Sequence, residues 1–189
     1  MKKISLVTGC AGFIGSHMVD FLLKKNHFVF GIDNFVSGKA KNLNIANKNK
    51  NFKFIRGDIK NFGKLCKSNK LNKLDYVFHF AGHGELIPSI ENPLEYFINN
   101  SYNCAIIIDY VKSNFNLKKF IYAASSSCYG INNNKTDEKQ KIKPEHPYAF
   151  SKYIGEQSCM HWSKVYKIPT ISIRIFNAYG PRSRTNNVY

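Results

Sequence analysis

The chain has 189 residues, 43% of them hydrophobic and 14% aromatic, enough to bury one core and too apolar for a disordered chain. Its formal net charge of +16 attracts nucleotide phosphates and polyanions alike. The lysines are spread along the chain among asparagines rather than gathered in one patch, so nucleic-acid binding is not expected as its main role, and no apolar run approaches the ~20 residues of a membrane span.

KISLVTG at 3–9 reads as a first strand rather than a signal peptide, because its apolar run is short and flows into a patterned helix; the implied location is cytoplasmic. FIGSHMVDFLLKKN at 13–26 reads as that helix, with Phe13, Ile14, Met18, Phe21 and Leu22 on one face. FVFGID at 28–33 is a second strand, FKFIRGD at 52–58 a third and YVFHFAG at 76–82 a fourth. The polar stretches 37–51 and 131–136 are expected to be exposed loops or poor helices. A long helix follows Pro93 to about Val111, KKFIYAASS at 118–126 is a fifth strand, 148–167 a helix and TISIRIF at 170–176 a sixth strand. Short apolar strands alternating with helices predict an α/β fold, a doubly wound parallel sheet with helices on both faces. The five cysteines are scattered, odd in number and without a C-x-x-C, so neither a disulfide framework nor a metal site is expected. His79 and His83 fall at a strand end and are expected to be satisfied or solvated rather than ligands.

The turn T-G-C-A-G-F-I-G places Gly9, Gly12 and Gly15 between the first strand and the first helix. Glycines there let the backbone approach a pyrophosphate, and the helix N-terminus offers it free N–H groups. The plainer alternative is a glycine turn that serves packing alone. Asp33 ends the second strand, 18 residues past Gly15. An acid there accepts hydrogen bonds from ribose hydroxyls and repels a 2′-phosphate, which favours NAD over NADP; a turn or cap role is the alternative. In HPYAFSK at 146–152, Tyr148 and Lys152 share a helix face and can act on one ligand.

Together with GDI at 57–59, HFAG at 79–82, PLEYFINN at 93–100, AASSSCYG at 123–130 and RIFNAYGPR at 174–182, these motifs resemble, in order and from end to end, the extended short-chain dehydrogenase/reductases of the nucleotide-sugar epimerase and dehydratase family. The chain is most similar within it to the UDP-sugar 4-epimerases. The resemblance implies a Rossmann-type fold, bound NAD, a UDP-linked sugar as substrate, and Tyr148 as the acid/base. A phenol needs its pKa lowered by about 3 from ~10 to act as a base at neutral pH. Lys152 is expected to supply charge that does this, helped by the positive nicotinamide ring, and to hold the nicotinamide ribose. Counting back from Tyr129, the resemblance assigns the catalytic hydroxyl to Ser125 rather than to Ser126 or Ser127.

Further carry-over places Phe13 and Ile14 at the pyrophosphate, Asn34 and Ser37 beside the ribose, and Asp58 and Ile59 around the adenine. Phe80, Ala81, Gly82 and Asn99 would line the cofactor, Phe176 would lie near the nicotinamide, and Ser89 and Asn177 near the sugar nucleotide. Dehydratases of the family carry an Asp-Glu pair where this chain has Ser126 and Ser127. Epimerisation at C4 through a transient 4-keto sugar is therefore expected ahead of a keto-sugar reductase or dehydratase, and ahead of a non-catalytic basic RNA-binding scaffold. The segment HGELIP at 83–88 departs from the family pattern beside the sugar pocket. A homodimer through the two long helices is a family expectation. Family sequences continue into a smaller substrate lobe, so residues 1–189 are expected to be the cofactor domain of a truncated chain with weak or no turnover.

Overall fold

The computed structural model describes residues 2–131 and 135–183. Residues 132–134 of the polar 131–136 stretch, and the last six residues, lie outside the described residues. The six strands are β1 (Ile4–Thr8), β2 (Phe28–Asp33), β3 (Phe52–Arg56), β4 (Tyr76–His79), β5 (Lys119–Ser125) and β6 (Thr170–Ile175). They form one sheet in the order β3-β2-β1-β4-β5-β6, and every pairing is parallel. This is the doubly wound order in which the chain reverses direction across the sheet beside β1, opening a crevice at the carboxyl ends of β1 and β4.

The helices are α1 (Phe13–Lys24), α2 (Phe62–Ser68), α3 (Leu86–Glu91), α4 (Pro93–Phe97), α5 (Asn103–Asn114) and α6 (Pro147–Tyr166). Alternate side chains of a strand leave opposite faces, and two cores result. Leu6 and Ile32 join Phe62, Cys66, Ile107, Ile108, Val111 and Cys159 of α2, α5 and α6 on one face. Val7 and Val29 join Val19 and Leu22 of α1, together with Leu43 and Ala46, on the other.

Three expectations need correction. The buried face of α1 is Gly15, Ser16, Val19 and Leu22, whereas Phe21 is 53% exposed. The helix lies so close to the turn after β1 that only small residues fit between them. The 37–51 stretch is not simply exposed, since two 3₁₀ turns at Ala40–Leu43 and Ala46–Lys48 bury Asn42, Leu43 and Ala46 over α1. The long helix after Pro93 runs to Asn114, but through a π turn at Ile98–Tyr102 that joins α4 to α5.

Candidate active site

The glycine turn is built to exclude side chains. Gly9 has φ +67°, and a Cβ on it would stand 2.7 Å from the Ala81 backbone nitrogen. A Cβ on Gly15 would stand 2.0 Å from the Gly9 carbonyl oxygen. Gly12 caps α1 with extended backbone, no side chain occupies the helix end, and no acid lies in its first turn. The first N–H groups of α1 therefore have no intrahelical partner and face the turn with the positive end of the helix dipole. Asp33 is buried at the end of β2, where its Oδ2 accepts from Ala11 N at 2.9 Å and its Oδ1 from Phe35 N at 2.8 Å. A carboxylate offers about four lone-pair sites, so each oxygen keeps capacity for a ligand hydroxyl.

A cleft opens above this turn. Gly9, Gly12, Asp33, Asn34, Ser37, Asp58, Ile59, Phe80, Ala81, Gly82 and Asn99, all named from the sequence, line this one cleft, and Ile32, Val36, Gly57 and His83 line it in addition. Asn34 Nδ2 donates to Asp58 Oδ2 at 3.1 Å, which joins the ends of β2 and β3 at one rim. Phe13 and Ile14 are half-buried at the start of α1. Phe176 and Asn177 are not brought to the cleft. Both are exposed, Phe176 stacks on Tyr129 at 6.4 Å, and the chain beyond them crosses α1, where His17 Nε2 donates to the Pro181 carbonyl.

The second half of the site sits where β5 ends and α6 begins. Ser125 is buried at the tip of β5, and its hydroxyl accepts from Ser127 N at 3.2 Å. Tyr148 lies in the first turn of α6, and its phenol is hydrogen-bonded to the Ser125 side chain. Lys152 is one turn further, buried, with Nζ 4.6 Å from the centre of the Tyr122 ring. Its Nζ would lie 3.9 Å from a Cβ on Gly82, so it reaches the wall of the cleft. Ser125, Tyr148 and Lys152 are thus brought together.

Their electrostatics in the protein alone are set by burial. Burial pushes the Tyr148 phenol above its ordinary value, and the Ser125 hydrogen bond opposes that only in part. Burial also holds Lys152 down at about 8, against the opposing pull of Cys104, Cys159 and Glu156. In the protein alone, then, Lys152 does not make Tyr148 a phenolate. A low phenol pKa requires further positive charge in the cleft.

Ser89 is a correction. It is fully buried, and its hydroxyl accepts from Tyr148 N at 3.1 Å and donates to the Leu86 carbonyl. A side chain so enclosed holds the Tyr148 backbone rather than a sugar. Asn100, which sequence reasoning missed, clasps the site from the π turn. Its side chain accepts from His83 N at 2.9 Å and donates to the His83 carbonyl and to Ser151 Oγ, each at 3.0 Å. Tyr122 adds a hydroxyl that donates to the Asn100 or Lys152 carbonyl, both at 3.3 Å. His79 is buried and hydrogen-bonded to Thr8 Oγ1 at 2.7 Å, a satisfied core histidine, while His83 Nε2 pairs with Glu95 at 3.1 Å. Among the described residues no cluster of metal-ligating side chains is present.

Residues 6–189 match the family model described as GDP-mannose 4,6 dehydratase. The chain belongs to the extended short-chain dehydrogenase/reductase family. Among curated relatives of this family member, the uncharacterized UDP-glucose epimerase YtcB of Bacillus subtilis is 34% identical over 97% of the chain and 59% of its own length. Among solved structures, UDP-glucuronic acid 4-epimerase from Bacillus cereus, in complex with UDP-glucuronic acid and NAD, superposes with a TM-score of 0.87 at 34% identity, covering 97% of this chain and 59% of that one. UDP-N-acetylglucosamine 4-epimerase from Methanobrevibacter ruminantium, in complex with UDP-N-acetylmuramic acid, gives 0.88 at 36% identity, covering 100% and 59%. The chain therefore spans about 59% of the length of each of these three relatives.

Proposed function

We propose that this chain is the cofactor-binding and catalytic part of an NAD-dependent UDP-sugar 4-epimerase. The observation that carries the reading is the meeting of Ser125, Tyr148 and Lys152 beside a cleft whose far end holds Asp33. The cleft fits a dinucleotide: Gly9 and Gly15 leave a cradle that a Cβ would fill, the α1 N-terminus is uncapped, and Asp33 retains acceptor capacity for ribose hydroxyls. Gly12, Phe13 and Ile14 would hold the pyrophosphate, Asp33 with Asn34 and Ser37 the ribose, and Asp58 and Ile59 the adenine. Lys152 would hold the nicotinamide ribose. An oxidised dinucleotide held there would supply a reversible hydride acceptor, and its positive ring would add charge to that of Lys152.

The residues of this chain do the rest. Tyr148 takes the proton of the sugar 4-hydroxyl, and Ser125 donates a hydrogen bond to the oxygen that becomes the 4-keto group, a preorganised contact of the kind that lowers a barrier. The keto sugar then presents its other face, and Tyr148 returns the proton. Dehydration would require further acids beside C5 and C6. The turn after Ser125 instead offers Ser126 and Ser127, whose hydroxyls ionise far above neutral pH, so epimerisation is favoured over the dehydratase reaction of other family members.

Residues 1–189 form, on this reading, the cofactor domain, with the lobe that grips the substrate's nucleotide lying outside them. No helix among the described residues is long and apolar enough to cross a membrane. The exposed apolar side chains Leu94, Phe97, Ile98, Phe150 and Met160 on and beside α4 and α6 would be covered by a second copy.

The test is NMR of UDP-glucose, UDP-glucuronate and UDP-N-acetylglucosamine incubated with catalytic NAD and a form of the protein that extends over its relatives' full length. Conversion of one of these to its C4 epimer without net NADH supports the reading, with a fall of at least ~100-fold in Tyr148→Phe. Stoichiometric use of NADH, or release of a 4-keto-6-deoxy sugar, would replace it with the reductase or dehydratase reading.

A further inference from the structure

The residue in front of the catalytic helix has work that no motif assigns. His146 is the N-cap of α6: its backbone is extended (φ −149°, ψ 161°), Pro147 follows as the first helical residue, and its Nδ1 accepts from Ala149 N at 3.2 Å. The His146 ring lies parallel to the Tyr148 ring, 5.8 Å between centres and 10° between planes. The first turn of α6 therefore rests on two side chains. Ser89 takes the Tyr148 N–H, and His146 takes the next one.

A capping acceptor is usually an oxygen that accepts at every relevant pH. Imidazole accepts only while neutral, because both its nitrogens are donors once protonated. We propose that His146 is the positioning residue for Tyr148, and that its protonation in mild acid releases the first turn of α6 and so takes the catalytic phenol out of register with Ser125. The inference rests on the catalytic reading of Tyr148 given above, but the capping switch itself does not.

The surroundings support neutrality as the resting state. From α4 the side chains that share a groove with His146 are Pro93, Leu94 and Phe97, and from α6 Pro147 and Phe150, none of them titratable. The charged neighbour is Glu145, itself paired with Lys143 Nζ at 3.2 Å, and the Tyr148 phenol ring stacks on the imidazole, with Tyr96 of α4 against Tyr148. Burial lowers the His146 pKa below its ordinary 6.5, and the Glu145 charge opposes this. With the folded value depressed, the capped state holds its full stability above pH ~6.5 and loses it as pH falls through the folded value.

The experiment is amide hydrogen exchange at Ala149 in the 189-residue chain, measured by NMR between pH 4.5 and 7.5 and corrected for intrinsic exchange, with the His146 ring titration followed in parallel. Loss of one helix cap should lower protection of Ala149 about fivefold as His146 protonates. In His146→Asn, whose Oδ1 accepts at every pH, protection should stay flat and near its neutral-pH value. His146→Ala should show the lowered protection throughout. Flat protection across the titration in the native chain, or an equal acid loss in His146→Asn, overturns the proposal. Because neither readout depends on turnover, a failed epimerase assay leaves this test decisive. In an active full-length form, the same substitution should move the acid limb of kcat and leave KM within about twofold.

Discussion

Replacing Gly15 by alanine tests how closely α1 is pressed on the turn after β1. The new Cβ would stand 2.0 Å from the Gly9 carbonyl oxygen and 2.8 Å from its carbon, inside the 3.0 Å that Cβ atoms essentially never breach. Both clashing atoms are backbone, and Gly9 is fixed in turn by its N–H bond to Ile32 O at 2.9 Å. The helix must therefore retreat by about 1 Å, the difference between the two distances. Overpacking of this kind costs up to about 3 kcal/mol. Alanine returns about 1 kcal/mol through its better helix propensity. The net loss is about 2 kcal/mol, which in a chain of this size lowers Tm by about 4–8 °C. Urea and thermal unfolding of Gly15→Ala beside Gly84→Ala would measure it. A Cβ at Gly84 meets nothing within 4 Å, so that variant should stay within about 0.5 kcal/mol of the native chain. If Gly15→Ala is as stable as Gly84→Ala, the helix does not lie where the close contact requires.

Two further predictions concern buried charge. Lys152 is held at about 8 by burial, against ~10.5 when unfolded. Its charged form is disfavoured in the fold, so stability should rise with pH between about 8 and 10.5 and level off below 8, where folded and unfolded chains are both protonated. Lys152→Met should flatten that rise and raise stability at pH 7 by up to roughly 3 kcal/mol, while removing turnover; an unchanged pH–stability profile by urea titration would count against the buried ammonium. Glu156 is buried and accepts from Arg174 Nε and Ser172 Oγ, tying α6 to β6. Glu156→Ala leaves the partly exposed Arg174 guanidinium with Tyr129 Oη as its remaining side-chain partner and should cost about 1–3 kcal/mol in the same assay; a loss under about 0.5 kcal/mol would show the pair is not needed.

The six strands, the glycine turn, Asp33 and the Tyr148–Lys152 spacing were legible because each has a local signature: an apolar run between polar turns, or a fixed interval along one helix. Helices α2 and α3 left no such trace. They have seven and six residues, too short for a 3.6-residue period to emerge, and α3 carries Pro88 within it. The buried face of α1 was misjudged because large apolar residues were taken as the inward ones, whereas close approach to the turn selects Gly15 and Ser16. The π turn at 98–102 has no sequence signature, so Asn100, its clasp on His83 and its bond to Ser151 became visible only in three dimensions. Ser89 was assigned to the sugar by position in a motif, and only burial showed that its hydroxyl supports Tyr148 N. What could be read was what lies along the chain; what escaped depends on which backbone groups are left needing partners once the helices dock.

The most direct measurement is calorimetric titration of the 189-residue chain with NAD and, in parallel, with NADP. On the proposed role of Asp33, accepting from ribose hydroxyls and repelling a 2′-phosphate, NAD should bind at least about tenfold more tightly, a difference of ~1.4 kcal/mol. Equal or tighter binding of NADP, or no binding of either, would contradict the assignment of the cleft.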